Sequence, residues 1–342
     1  MYLKDFDYSL PEKFIAQFPL RQRDHCKLLV VERKTGKLIH ARFSDVSSFL
    51  NQTDCLVLNN SRVIPARLIG KRKTGGKVEI FLLKRLSDGY SYQALIKPLK
   101  RLKLNERIIF NNGTVTAELV NPLEKIVRFN TSNRSRLFGL GQVPLPPYIK
   151  RNPRSLDSTQ YQTVYAQRDG SVASPTAGLH FTKRLLNSLR KKGVSIDTVT
   201  LHINYATFNP VKEDDISKHL MHSEEFSITK NTFKHIRSMK TSGNRIIAVG
   251  TTATRVLEAT ADRMFNPRIQ PKRIQETTNL FIYPGYRFKM VDALITNFHL
   301  PRSTLFMLVC AFSGTDLIKK AYKEAMRKGY RFYSYGDAMI II

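Results

Sequence analysis

Three histidines stand where the sequence favours proton transfer: His180, His202 and His299. Each lies at or just past the end of a predicted strand, and imidazole is the side chain that ionises nearest neutrality. Ligands of layered α/β folds bind beyond the carboxyl ends of the strands, so three histidines on one edge point to a site. His180 closes residues 172–181, a run of small residues in which Thr176 and Gly178 let a ligand approach the backbone. Val249-Gly250-Thr251-Thr252 reads as a strand-to-helix step whose first free N–H groups can hold an anion or simply cap the helix. Asn59-Asn60-Ser61-Arg62 follows another predicted strand and places Arg62 at the corresponding edge. Asp337, after Tyr335-Gly336, is a turn residue by position and a carboxylate base by chemistry.

His219, His222 and Glu224 bring two imidazoles and a carboxylate into six residues. Histidines three apart share a helix face, so metal ligation, hydrogen bonding and substrate contact are all open to this cluster. No metal-protease sequence accompanies it, which ranks metal ligation last of the three. Dinucleotide and Walker-type glycine signatures are absent.

The elements that must position these residues fall into two textures. Between Pro65 and Pro144 the chain reads as short strands over 78–83, 90–96, 107–110, 115–120 and 126–129, with no helical period. Gly75-Gly76, Asp88-Gly89 and Asn112-Gly113 separate them, which predicts a small antiparallel β-barrel. On either side, strands alternate with amphipathic helices, among them a helix after Thr182 with Leu185, Leu186 and Leu189 on one face. The expected architecture is an α/β main domain built from both chain ends (1–63 and 152–342), with an inserted barrel and its Pro-rich return linker at 64–151.

The 342-residue chain carries 56 Lys and Arg against 27 Asp and Glu, a formal charge of +29. Residues 64–151 hold 18 of those basic residues and 5 of the acidic ones, so the predicted barrel is the most basic part. Lys71, Arg72 and Lys73, and Lys100, Arg101 and Lys103, form dense runs that suit phosphate contact or a solvated face. A hydrophobic content of 42% supports a real core and argues against a disordered basic tail. Apolar runs fall short of a membrane span, and the first residues lack a secretory signal. Three scattered cysteines, Cys26, Cys55 and Cys310, fit a reducing compartment and exclude a disulfide framework. These features predict a cytoplasmic protein that acts on RNA, and no exposed dimerisation helix is apparent, so a monomer is expected.

Long motifs then carry a resemblance that spans essentially the whole chain. Residues 5–11, 15–19, 59–67, 143–148, 161–166, 175–181, 200–202, 219–224, 248–252, 281–285, 296–301 and 335–339 together resemble the S-adenosylmethionine:tRNA ribosyltransferase-isomerase family of queuosine biosynthesis. The resemblance implies transfer and isomerisation of the ribosyl part of S-adenosylmethionine onto 7-aminomethyl-7-deazaguanine at the wobble position of tRNAs with a GUN anticodon. Epoxyqueuosine-tRNA, adenine and methionine would be the products, with S-adenosylmethionine as cosubstrate and no other cofactor and no metal. Under that reading His180, His202 and His299 transfer protons, with Asp337 or Glu224 as orienting partners. Arg62, Thr176, Gly178, Gly250, Thr251, Thr252, Arg255 and Asn297 bind the cosubstrate, and the two basic runs meet tRNA. The family pattern has glycines where this chain has Asn204 and Ala206; asparagine tolerates a left-handed backbone, whereas alanine resists it. A noncatalytic RNA-binding protein and an S-adenosylmethionine-dependent RNA methyltransferase are the competing readings.

Overall fold

The computed structural model describes residues 1–205, 211–266, 268–269 and 273–342; Ala206 lies outside them. Chain order gives β1 (Lys27–Val31), β2 (Leu38–Arg42), β3 (Cys55–Asn59) and β4 (Ser61–Val63). The middle segment follows with β5 (Arg67–Arg72), β6 (Lys77–Arg85), β7 (Ser91–Lys97), β8 (Arg107–Phe110), β9 (Val115–Asn121), β10 (Ile126–Phe129) and β11 (Gly141–Gln142). The chain returns through β12 (Arg168–Ser171), β13 (Ser195–Leu201), β14 (Glu224–Thr229), β15 (Ile246–Val249), β16 (Arg273–Thr278), β17 (Ala293–Asn297) and β18 (Ala338–Ile341).

Nine strands from both chain ends form one mixed sheet, in the order β16-β14-β13-β3-β15-β17-β18-β1-β2. Its centre, β13, β3, β15 and β17, is parallel, so these four strands end at one edge. Every residue of β3, β15 and β17 is buried, as expected of apolar runs covered on both faces. Alternation sorts β1 between the two cores: Leu29 and Val31 join the helices Gly250–Ala259 and Thr304–Ser313 on one face. Leu28 and Val30 meet Phe43 and the helix Lys183–Lys191 on the other. Thr182 caps that second helix as expected, accepting from the Leu185 N–H at 3.1 Å, and its hydroxyl lies 3.0 Å from buried Asp24.

The middle segment closes into a six-stranded antiparallel barrel, β5-β6-β7-β10-β9-β8, sealed by the β5–β8 pairing, with β11 added to β5. The sealing strand β5 was not among the expected strands, because its lysine and two arginines mask its buried Leu68 and Gly70. Gly70 is required there: a Cβ would fall 2.7 Å from the Phe110 ring. The expectation of no helix in this segment is corrected by a single turn, Arg134–Phe138, too short to show a period. Asn133 caps it and Leu137 plugs the barrel core. Among the described residues, no helix is long and apolar enough to cross a membrane.

Candidate active site

Asn59 fixes the edge where the parallel strands end. Its amide donates to the Leu201 carbonyl at 3.0 Å and to Thr252 Oγ1 at 3.2 Å, while its Oδ1 accepts from the Ser61 and Leu201 N–H groups. Strand β3, strand β13 and the helix that follows β15 are thereby held to one another by a single buried side chain. Gly250 opens that helix at φ +87°, a conformation that disfavours any side chain, and turns the first free N–H groups toward the edge.

An inner cavity of about 80 Å3 lies at this edge. Thr176, Glu224, Gly250, Thr251, Thr252, Arg255, Asn297 and His299 all line it, so the structure brings together eight residues singled out from sequence. Glu224 and Arg255 complete one wall as an ion pair with both side chains almost excluded from water. Glu224 also accepts from the Asn204 N–H at 3.0 Å, while Arg255 donates to the carbonyls of Leu280 and Thr278. The charge of Arg255 is therefore already matched within the protein. Tyr148, Ser174 and Ser334 also line the cavity and escaped the sequence reading; Ser174 Oγ is buried without a hydrogen-bond partner among the described residues.

The three histidines occupy three different environments. His299, two residues past β17, lines the inner cavity, and its Nε2 lies 3.2 Å from Thr296 Oγ1. Burial lowers its pKa to about 3, so the ring is neutral. His202, just past β13, is less buried and stands on the other side of the Glu224 wall. His180 sits on a 3-10 turn, Thr176–His180, and not at a strand end as expected. Its Nδ1 lies 3.1 Å from Cys26 Sγ and its Nε2 lies 2.9 Å from Asn297 Nδ2, and Phe43 packs against the ring. The Asn297 amide nitrogen faces the Tyr333 and Asp337 carbonyls, which can only accept. It must therefore donate to His180 Nε2, which assigns the ring its Nδ1–H tautomer. Burial first, then Arg331 and Arg23, lowers the His180 pKa to about 3.

Asp337 is likewise turned inward. Its oxygens accept from the Lys27 N–H at 2.9 Å and the Arg331 N–H at 2.7 Å, tying the start of β18 to β1. Burial raises its pKa, and those two backbone bonds and the Arg331 charge oppose the rise. Arg62 is the exposed residue of β4, donates to the Ala166 carbonyl at 2.8 Å and is not part of the cavity lining. Gly178 makes room for protein, since a Cβ would meet the Tyr165 hydroxyl at 1.9 Å. His219, His222 and Glu224 do not converge: His219 bonds Glu213 at 2.9 Å, His222 is exposed, and Glu224 is locked to Arg255. The segment is not a helix, so the three-residue spacing does not stack the two imidazoles.

A larger cleft of about 450 Å3 opens between the barrel and the α/β layers. Glu224 and Ile203 line both hollows, so they form the partition between cleft and inner cavity. The six basic residues singled out on the barrel lie away from this cleft. Lys71, Lys73, Lys100, Arg101 and Lys103 are exposed, whereas Arg72 is held by Glu106 at 2.5 and 3.1 Å.

The sequence profile described as "Queuosine biosynthesis protein" matches residues 3–341. The chain belongs to this family. It is 49% identical to the S-adenosylmethionine:tRNA ribosyltransferase-isomerase of Clostridium kluyveri, and 47% identical to the proteins of that name from Caldanaerobacter subterraneus and Staphylococcus aureus. Each alignment covers both chains completely. A crystal structure of S-adenosylmethionine tRNA ribosyltransferase from Thermotoga maritima shares 36% identity and a TM-score of 0.57, covering 99% of this chain and all of the other. Family membership across the full length argues against a scaffold that only binds RNA.

Proposed function

We propose that this chain is an S-adenosylmethionine:tRNA ribosyltransferase-isomerase. It transfers and rearranges the ribosyl part of S-adenosylmethionine onto 7-aminomethyl-7-deazaguanine at the wobble position of a GUN-anticodon tRNA, releasing adenine and methionine. The observation that carries this reading is a full-length match to relatives of that name, joined to a cavity at the carboxyl edge of the parallel strands. The enzyme acts as a cytoplasmic monomer, with residues 1–63 and 152–342 as its catalytic part and residues 64–151 as the barrel insertion.

The inner cavity is lined by the start of the Gly250–Ala259 helix, whose free N–H groups suit a carboxylate. The methionine end therefore lies there, its carboxylate at the N–H groups of Thr251 and Thr252, where the Gly250–Ala259 helix begins. Arg255 holds Glu224 in place rather than meeting the carboxylate directly. The ribose then reaches the Glu224 and Ile203 partition, with its sulfonium-activated C5′ between cavity and cleft. A sulfonium makes the C5′ protons acidic, and His299, the imidazole that lines this cavity, is placed to take one. His180 and Asp337 act at one remove: His180 orients Asn297, and Asp337 fixes the loop that carries Tyr333 and Ser334. The barrel's exposed lysines hold the tRNA backbone.

Chromatography of a reaction containing precursor-modified tRNA and S-adenosylmethionine tests this reading. Adenine and methionine should appear together. Release of S-adenosylhomocysteine would instead identify a methyltransferase, and tRNA binding with no small-molecule product would identify a noncatalytic binder.

A further inference from the structure

The inner cavity accounts for only one substrate, and the cleft beside it has a distinctive charge pattern. Its barrel wall carries Lys84, Arg85 and Arg134, whereas its α/β wall carries Asp169, Glu224 and Glu225. A nucleotide with a cationic base substituent has this polarity, phosphate on one side and ammonium on the other. The charged groups of the two walls meet in an exposed Lys84–Glu225 pair at 3.6 Å, which a ligand can displace at little cost, while Tyr205 packs on Phe81 beside it. His202 lies on the acidic wall. Its Nδ1 is 2.7 Å from Ser61 Oγ, and its Nε2 has no hydrogen-bond partner among the described residues. The ring lies flat on Gly170, at φ +150°, where a Cβ would be 2.8 Å from the imidazole carbon. Only glycine admits the ring there.

We infer that this interdomain cleft seats the extruded wobble nucleotide, with its aminomethyl group between Asp169 and Glu225 and with His202 as the base that neutralises it. The inference rests on the ribosyl-transfer reading. An alkylammonium holds its proton at neutral pH and has no lone pair with which to bond the ribosyl unit. His202 Nε2 removes one proton, which leaves a neutral amine and an imidazolium. Ser61 accepts the Nδ1–H, and the carboxylates of Asp169 and Glu225 stabilise the new positive charge. Burial lowers the pKa of His202 while those two carboxylates oppose the fall, so the ring is neutral and ready to accept. Arg62 lies 3.7 Å from Asp169, Lys84, Arg85 and Arg134 face the ring from across the cleft, and Glu224 lies beside it, paired with Arg255. Glu224 and Ile203 separate this amine from the inner cavity, so the nucleophile and the ribosyl donor approach the partition from opposite sides.

Adenine release from precursor-modified tRNA should be measured for the wild type, for the D169N/E225Q double variant and for H202Q, with S-adenosylmethionine affinity determined calorimetrically for each. Both acidic side chains are largely exposed, so the double variant keeps its fold. It should raise the KM for tRNA at least tenfold and leave cosubstrate affinity within twofold. H202Q should lower kcat on the order of a hundredfold at neutral pH and recover as the pH rises, because the amine then loses its proton unaided. A double variant with an unchanged KM for tRNA, or an H202Q defect equal at every pH, overturns the inference. A wild type that releases no adenine overturns the ribosyl-transfer reading instead, before any variant is compared.

Discussion

The carboxylate of Glu224 and the guanidinium of Arg255 form an ion pair at the partition between the two hollows, with 4% and 7% of their side chains exposed. Thirty-one residues separate them in sequence, and strand β14 and the helix after β15 bring them together. Removing one partner strands a buried charge. Arg255→Met should therefore destabilise the protein by about 3–5 kcal/mol in urea unfolding, whereas adding Glu224→Gln should restore part of that loss. Equal stability of the two variants would show that the pair contributes little.

Gly178 and Tyr165 make a second coupled pair. Gly178→Ala places a Cβ 1.9 Å from the tyrosine hydroxyl, which is buried without a partner among the described residues. Tyr165→Phe alone should be neutral or slightly stabilising, since it removes an unsatisfied buried polar atom. Gly178→Ala should cost about 1–3 kcal/mol, and combining the two should recover part of it, because Thr163 Cγ2 and the ring carbon of residue 165 still lie 2.9 Å from the new Cβ. Additive costs in thermal unfolding would rule out the clash as the cause.

Acid sensitivity follows from His180 and His299. Both have folded-state pKa values of about 3, against an ordinary 6.5. Below pH 6.5 the unfolded chain binds protons that the folded chain refuses, so stability falls as the pH drops through that window and is complete above it. Each ring contributes up to about 1.4 kcal/mol per pH unit of that slope. His299→Asn should flatten the acid limb of stability measured by urea titration between pH 4 and 6; an unchanged slope would mean that the ring takes up its proton while folded.

The barrel's lysines should act through salt dependence. Replacing Lys71, Lys73, Lys100 and Lys103 by Gln should make the slope of log affinity against log salt shallower by about 3–4 for tRNA. Arg72→Gln should leave that slope unchanged, because Glu106 already holds the guanidinium, and should lower barrel stability instead. An equal change in slope for Arg72→Gln would place it on the RNA.

The sequence made the barrel legible through its turns and short β-branched runs, and it made the parallel core legible through buried apolar stretches. It hid strands whose faces carry charge, such as β5, and strands fixed only by partners distant in sequence, such as β14 and β16. The site was legible where small residues and strand ends coincide, at Thr176, Gly250 and Asn297. The role of His180 was not, because its depth depends on Cys26, Phe43 and Asn297 packing around it from three distant segments. Arg62 and Gly178 looked like ligand contacts by position, yet one is exposed and the other accommodates a tyrosine. Composition raised the question of a polyanion, and it could not separate the partnered Arg72 from its free neighbours.

Labelling decides the central claim most directly. S-adenosylmethionine carrying 13C throughout its ribose should be incubated with precursor-modified tRNA, and the tRNA then digested for nucleoside mass spectrometry. The expected product is a modified wobble nucleoside that has gained the complete labelled ribosyl unit, with one adenine released for each one formed. An unlabelled tRNA, or one that has gained only an unlabelled methyl group, would contradict ribosyl transfer.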